Sequence, residues 1–249
     1  MPFIFSPPLT TTPMIEGTEF TPGLWVLQNR ETRGNTGIVL HEGGAALIDP
    51  GEEQIELDAA ERFLEENGGA RIEALLFTGE PTGTAAEERW PGAVRVTPRT
   101  LAEAPLLPVS VLGWEVVPLS RGAARVGVYN STERILFCGE MLRGQGIPSL
   151  AAGADTLLEA LDKVEGLDVK LVVPSRGTAA QGKRDVRERV GQDRSYTLSL
   201  MRHVATSRVA HIPLERVLHV ATEMYDDFPY LQEHLRNLGD VWREMGREA

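Results

Sequence analysis

Residues 75–77 constrain the fold of this chain most strongly, because this apolar run leads directly into a glycine- and proline-containing loop at residues 78–84. A short apolar run that ends in such a loop is typical of a strand covered on both faces. Three more segments combine apolar runs with short loops, at residues 35–51, 135–140 and 171–177. The order of these four segments is the strongest pattern in the sequence.

The first half of the chain alternates between strand and helix patterns. Helical spacing predicts a helix over residues 52–67, with acidic residues at its start, where the helix dipole favours them, and two glycines after its end. Strands are predicted on either side of it, at residues 24–27, 36–40, 45–48, 72–77 and 94–96, with a short helix at residues 85–90. This alternation indicates an α/β arrangement in which helices cover a sheet.

The second half shows a related pattern. An antiparallel meander is predicted from residues 114–119, 125–129 and 135–138, followed by an amphipathic helix at residues 155–164 and a strand at residues 169–174. Residues 97–108 are interrupted by prolines and are predicted to be irregular.

The pattern becomes purely helical from Gly182 onward. Helices are predicted at about residues 183–206, 213–226 and 229–247. Apolar side chains recur along them at helical spacing and must be covered. The sequence leaves two ways to cover them open: packing on the preceding domain, or packing on a second copy in a homodimer.

Composition limits the classes of function. The 249 residues are enough for one large α/β domain with a sizeable core, and the formal net charge of −11 argues against nucleic acid as a partner. The single cysteine, Cys138, excludes an intrachain disulfide. No apolar run is long enough to cross a membrane, and the N-terminus lacks the basic start of a signal peptide, so we expect a cytoplasmic protein without a membrane partner.

The four strand-and-loop segments, in their order and spacing, resemble the metallo-β-lactamase superfamily. The resemblance implies an α/β fold, the four-layer αββα sandwich, with a C-terminal helical appendage. It divides the chain into an extended N-terminal segment at residues 1–23, the αββα domain at residues 24–180, and a helical region at residues 181–249 packed on that domain. It also implies that Asp49 anchors the metal loop through hydrogen bonds without binding metal itself.

The zinc-ligand set of that family is missing from this sequence. The family's first metal loop reads Thr-His-x-His-x-Asp-His, whereas this chain has, at the four ligand positions, Gly79, Pro81, Gly83 and Thr84. By the same comparison, Arg121 and Arg176 replace histidines, and Glu140 replaces an aspartate. Arginine stays cationic in proteins and cannot ligate a metal. We therefore expect no metal and no other cofactor.

Other residues offer weaker alternatives for a metal site. The five histidines, His41, His203, His211, His219 and His234, have no regular ligand spacing and are interpreted as ordinary surface or core residues. An oxygen-rich Mg²⁺ or Ca²⁺ site is conceivable from Asp49, Glu80, Glu140 and Asp155. The two nearby arginines oppose it electrostatically.

Three hypotheses of function remain open. The first is a catalytically inactive pseudoenzyme with a binding, regulatory or structural role. The second is a divergent hydrolase of a small anionic substrate, with rebuilt or metal-independent chemistry and Glu80 or Glu140 as general base. The third is a structural scaffold that forms a homodimer. The sequence favours the absence of enzymatic activity and does not identify catalytic residues.

The resemblance also predicts what occupies the place of the zinc ions. It brings Arg121, Glu140 and Arg176 together, with Glu80 and Thr84 at the rim. We expect an arginine–glutamate network there, because two guanidinium groups can supply the positive charge that a metal would have given to Glu140. If one arginine stays available, this pocket would bind a small anionic ligand such as a carboxylate or a phosphate.

Overall fold

Two β-sheets lie face to face in the computed structural model, which describes residues 14–103, 113–120, 125–144, 146–224 and 227–247. The first sheet has six strands in the spatial order of the chain: β1 (Ile15–Thr21), β2 (Leu24–Asn29), β3 (Asn35–His41), β4 (Gly44–Ile48), β5 (Ile72–Leu76) and β6 (Val94–Val96). The second has five strands, in the order β11-β10-β9-β8-β7: β7 (Glu115–Pro118), β8 (Val126–Asn130), β9 (Ile135–Phe137), β10 (Leu171–Val173) and β11 (Ala180–Gln181).

Seven helices occur in the described part of the chain. The first four are α1 (Gln54–Glu66), α2 (Ala85–Arg89), α3 (Pro98–Glu103) and α4 (Ala154–Gly166). The last three form the C-terminal region: α5 (Lys183–Val209), α6 (Leu214–Met224) and α7 (Leu231–Arg247). Neither these three helices nor any other described helix is long and apolar enough to cross a membrane.

Buried side chains form three apolar layers. One lies between the first sheet and α1, and includes Leu47, Leu57 and Leu75. The second lies between the two sheets, where Ile48 and Phe137 are fully buried. The third layer lies outside the second sheet and joins α4 to α5, α6 and α7. This order of layers confirms the predicted αββα sandwich with its C-terminal helices.

The strand and helix order of the core follows the sequence-based prediction, including the antiparallel β7-β8-β9 meander. Three elements were not predicted. The two-residue strand β11 pairs antiparallel with β10, although no strand was predicted after residues 169–174. Strand β1 pairs antiparallel with β2, although residues 1–23 were expected to form only an extended segment. Helix α3 begins at Pro98, inside the region predicted to be irregular, since proline is well tolerated in the first turn of a helix. Residues 104–108 of that region lie outside the described part.

Candidate functional site: the loops at the sheet edges

The candidate site is a cavity of about 540 Å³ where loops from both sheets meet. Strands β4 and β5 are parallel neighbours in the first sheet, and β9 and β10 are parallel neighbours in the second. Parallel strands end at the same edge of a sheet, and ligands of α/β proteins bind at such edges. The loops after these four strands line the cavity and include Asp49, Thr78, Glu140 and Arg176.

Asp49 joins the loop after β4 to the loop after β5. Its Oδ1 accepts a hydrogen bond from the Thr78 backbone N–H at 2.7 Å, and its Oδ2 accepts one from the Thr78 hydroxyl at 2.6 Å. Asp49 has a positive φ of 48°, in the left-handed region that aspartate tolerates better than most residues. Burial raises the pKa of Asp49 to about 6, although the two bonds from Thr78 act in the opposite direction. Through Thr78, Asp49 therefore fixes the start of the loop after β5.

A second carboxylate, that of Glu52, holds the far part of the same loop. It accepts hydrogen bonds from the backbone N–H groups of Thr82, at 2.6 Å, and Gly83, at 2.9 Å, and from the Thr82 hydroxyl. These bonds lower the pKa of Glu52. In the family that the sequence resembles, this loop carries zinc ligands. Here the Glu52 carboxylate holds the loop through hydrogen bonds from its backbone N–H groups.

Glu80 and Thr84, which were expected at the rim, each have a local partner. Glu80 lines the cavity and accepts a hydrogen bond from the backbone N–H of Arg99 at 2.6 Å. Thr84 donates its hydroxyl to Glu88 at 2.6 Å, where α2 begins.

Glu140 forms its ion pair with Arg143, a residue that the sequence analysis did not single out. It also accepts a hydrogen bond from the Ser175 hydroxyl at 3.1 Å. Arg143 also forms an ion pair with Glu233 of α7 at 3.3 Å. The two ion pairs of Arg143 therefore link the site to the C-terminal helices. The pKa of Arg143 is lowered, mainly by burial, while the charge of Glu233 opposes that effect. The pair of Glu140 and Arg143 was hard to find in the sequence, because its only signal is two opposite charges three residues apart.

Arg176 lines the cavity and is exposed. Within the described residues its guanidinium takes part in no ion pair, so Arg143 takes the role at Glu140 that was predicted for Arg176. Arg121, the other arginine of the predicted network, lies outside the described residues.

The charged side chains that line the cavity are mainly acidic. Arg176 is the single basic residue among its described lining residues, which also include six carboxylates: Asp49, Glu52, Glu53, Glu56, Glu80 and Glu140. Several of these carboxylates are hydrogen-bonded within the protein. Glu56, for example, accepts from the Asn29 amide at 2.9 Å and from the Thr32 hydroxyl at 3.2 Å.

A partly buried charge cluster behind the Glu140 loop was also missed by the sequence analysis. Asp193 of α5 accepts the backbone N–H of Leu142 at 3.0 Å, and Arg189 donates to the Leu142 carbonyl at 3.1 Å. Burial raises the pKa of Asp193 to about 6, against the lowering effect of the surrounding arginines. Leu142 is far from Asp193 and Arg189 in the sequence, so only the packing of α5 on the second sheet reveals these contacts.

The residues at this edge do not fit a zinc ion. The positions that would supply ligands hold Gly79, Pro81, Gly83 and Thr84 on one loop, and Arg176 on another. Zinc sites need three or four nitrogen, sulfur or carboxylate ligands. In the described part of the chain, no group of three or more His, Cys, Asp or Glu side chains is arranged to hold a metal.

Comparisons with known proteins identify the fold. No family model matches the sequence, and no curated protein matches it. Among solved structures, a metallo-β-lactamase family protein from Thermus thermophilus is similar over 92% of this chain and 95% of its own, with a TM-score of 0.62 and 17% identity. A metallo-β-lactamase from Pontibacter korlensis is similar over 74% of this chain and 99% of its own, with a TM-score of 0.59 and 20% identity.

A stereoselective inverting sec-alkylsulfatase from Pseudomonas sp. is similar over 92% of this chain and 50% of its own, with a TM-score of 0.65 and 10% identity. Two of these three similarities extend over the C-terminal helices as well as the sandwich. At such identities the likeness concerns the fold. The chain has the fold of the metallo-β-lactamase superfamily.

Proposed function

We propose that this protein is a catalytically inactive relative of the metallo-β-lactamase-fold hydrolases that uses the cavity at its sheet edges for binding. The observation that carries this proposal is the loop at residues 78–84. It has no histidine or carboxylate at the ligand positions, and Asp49 and Glu52 hold it in place through direct hydrogen bonds. A hydrolase of this fold would need a metal to generate a hydroxide at neutral pH.

The loops are also joined across the two sheets by direct contacts. The Asn35 amide of β3 donates to the carbonyls of Pro174, at 2.8 Å, and Gly177, at 2.9 Å. The Asn35 N–H also donates to the Ser175 carbonyl at 2.8 Å. The cavity can thus keep its shape through protein–protein hydrogen bonds, as a binding pocket requires.

The charges of the lining restrict the ligand. A simple anion would find one guanidinium, Arg176, and six carboxylates. A small molecule with a carboxylate or phosphate for Arg176 and a cationic group for the acidic side fits this distribution better. An amino acid or a related zwitterion is a member of that class.

Alternative catalytic chemistry has less support. Two residues were considered as a general base. Glu80 accepts a hydrogen bond from the Arg99 backbone, and Glu140 is paired with Arg143. Glu140 does accept the Ser175 hydroxyl, but its charge is paired with Arg143, and no described lining residue of the cavity is a histidine that could act as the base.

The proposal is tested by activity and by binding together. With zinc or manganese added, the protein should turn over no β-lactam, thioester or phosphodiester substrate. In thermal-shift titrations, a basic amino acid such as arginine should stabilise the wild type more than citrate or putrescine does. Arg176→Ala should remove that stabilisation, whereas Arg62→Ala, an exposed arginine on α1, should not.

Two outcomes would contradict the proposal. Turnover that a chelator abolishes and zinc restores would show a working metal centre. Equal stabilisation of the wild type and the Arg176→Ala variant would show that the ligand does not bind in this cavity.

A further inference from the structure

One carboxylate of the cavity at the sheet edges, that of Glu56, is held in place through only one of its two oxygens. Glu56 lies in the first turn of α1 and is partly buried. Its Oε1 accepts the Asn29 amide at 2.9 Å and the Thr32 hydroxyl at 3.2 Å. Among the residues that the structure describes, no donor bonds its Oε2, so this oxygen can accept a hydrogen bond from a ligand.

Two glycines that line the cavity leave the room that the Glu56 side chain occupies. A Cβ at Gly51 would lie 2.6 Å from the Glu56 Cβ and would overlap its Oε2. A Cβ at Gly34 would lie 3.2 Å from its Oε1. The carboxylate therefore packs directly on the backbone of two lining residues, so packing as well as hydrogen bonds fixes its position.

Gly34 also lies directly opposite Arg176. Two backbone hydrogen bonds of 2.8 Å between residues 33–35 and residues 175–177 make Gly34 and Arg176 an antiparallel pair. The side chains of such a pair leave on the same face, with Cβ atoms about 4.5–5.5 Å apart. The Glu56 Oε1 therefore lies within about 9 Å of the Arg176 Cβ, which a flexible arginine side chain can span.

The other carboxylates of the lining are less suited to bind a cationic group. Both oxygens of Asp49 accept hydrogen bonds from the loop after β5, and so do both oxygens of Glu52. Both oxygens of Glu140 are engaged as well, by an ion pair and by a hydroxyl. Glu53 and Glu80 are exposed, where water weakens a charge pair. This leaves the partly buried, first-turn carboxylate of α1 as the best acceptor for a cation.

We propose that Glu56 and Arg176 bind the α-ammonium and the α-carboxylate of a free amino acid. This inference rests on the binding role proposed for the cavity and assigns each charge of the ligand to one residue. The Glu56 Oε2 accepts a hydrogen bond from the ammonium, and the Arg176 guanidinium donates two parallel hydrogen bonds to the carboxylate. The two charges of an α-amino acid are carried by one carbon atom, which suits two opposite charges that project from the same face. A molecule that lacks either charge would leave Glu56 or Arg176 unpaired.

Isothermal titration calorimetry of the full chain with L-arginine and two analogues tests this assignment. 5-Guanidinopentanoic acid lacks only the α-ammonium of L-arginine, and agmatine lacks only its carboxylate. The wild type should bind each analogue about tenfold more weakly than L-arginine, since a charge-assisted hydrogen bond contributes about that much. This comparison needs no variant and therefore does not depend on the folding of one.

Three variants then assign the two charges to their residues. Glu56→Gln keeps the shape of the side chain and an oxygen for Asn29 and Thr32, but it should bind L-arginine no better than 5-guanidinopentanoic acid. Arg176→Ala should bind L-arginine no better than agmatine. Glu66→Gln, at an exposed glutamate at the end of α1 and outside the cavity, is the matched control and should keep both tenfold differences.

Two results would overturn this inference while leaving the proposed function standing, provided that L-arginine binding still depends on Arg176. Equal wild-type affinities for L-arginine and 5-guanidinopentanoic acid would show that the α-ammonium is not recognised. A tenfold preference for L-arginine that persists in Glu56→Gln would place the α-ammonium at another residue. L-Arginine that does not bind the wild type, or that binds Arg176→Ala equally well, would overturn the inference and the proposed function together.

Discussion

Asp49 combines a positive φ, a buried carboxylate and two hydrogen bonds from one residue, Thr78. Its position orders the loop after β5 without any ion. Burial, however, favours the neutral carboxyl, and the pKa of about 6 lies above that of an unfolded chain. The same side chain therefore ties two loops together and makes their stability depend on pH.

Replacing Asp49 with asparagine should change the pH dependence of stability in a defined direction. Between about pH 4 and pH 6 the folded wild type retains a proton that the unfolded chain has released, so its free energy of unfolding falls as the pH rises. The Asp49→Asn variant has no carboxyl group to titrate at this position, so its free energy of unfolding does not fall for this reason. The variant's free energy of unfolding, minus that of the wild type, should thus rise across this window by about 1–3 kcal/mol and stay flat above pH 7.

Urea denaturation at a series of pH values measures this difference. Asp155→Asn, a substitution at an exposed aspartate in the first turn of α4, is the control and should show no such rise. A difference that is constant from pH 4 to pH 8 would mean that Asp49 is ionised throughout and that burial does not govern its pKa.

Single residues also show where the sequence was informative about the site. Gly79, Pro81 and Arg176 indicate the loss of ligands, because each stands in a short motif with a fixed place after a strand. Arg143 and Asp193 carry no such motif. Arg143 pairs with Glu140 within one loop, and Asp193 reaches Leu142 only when α5 packs on that loop.

Among the elements, the strands that end at the site were predictable because each is a compact apolar run. Strand β1 was not, because its sequence alternates weakly and most of its residues are exposed. Its extended form depends on backbone pairing with β2, in a register from Ile15 with Asn29 to Thr21 with Leu24. Such pairing is a long-range contact that local patterns do not contain.

A buried amide helps to join α7 to the loop before α4. Asn237 is 3% exposed, donates to the Pro148 carbonyl at 2.8 Å and accepts from the Leu150 N–H at 3.1 Å. Asn237→Ala would leave both backbone groups without these partners. We expect a loss of about 2–3 kcal/mol in the free energy of unfolding, measured by urea denaturation.

Asn67→Ala provides the comparison for that substitution. Asn67 also bonds a backbone carbonyl, that of Phe63, but it does so at the exposed end of α1. Asn67→Ala should lower the free energy of unfolding much less than Asn237→Ala does. Equal effects of the two substitutions would show that α7 is not held to the sandwich through the Asn237 amide.

At the scale of the whole molecule, the C-terminal helices complete the outer apolar layer of the second sheet. Val217, Leu238 and Val241 are buried in the same cluster as Leu161 of α4. Packing within one chain therefore accounts for much of the apolar pattern of the tail. A homodimer remains a prediction, to which the exposed Leu198 and Met224 would contribute apolar surface.

Hydrogen bonds of Asp49, Glu52 and Asn35 hold the loops at the sheet edges together. The ligand positions on these loops hold residues that cannot bind zinc. Gly79 and Gly83 show that space is not the obstacle. A Cβ at Gly79 meets no atom within 4 Å, and one at Gly83 meets only Glu52 at ordinary distances. A side chain could therefore start at either position without a clash at its Cβ.

Zinc binding by the purified full chain tests this account most directly. After equilibrium dialysis against micromolar zinc, inductively coupled plasma mass spectrometry should find no zinc retained by the wild type. A variant carrying Gly79→His, Pro81→His, Gly83→Asp, Thr84→His and Arg176→His serves as the positive control and should retain it. Stoichiometric zinc in the wild type, lost when Glu140 is replaced by alanine, would contradict the account.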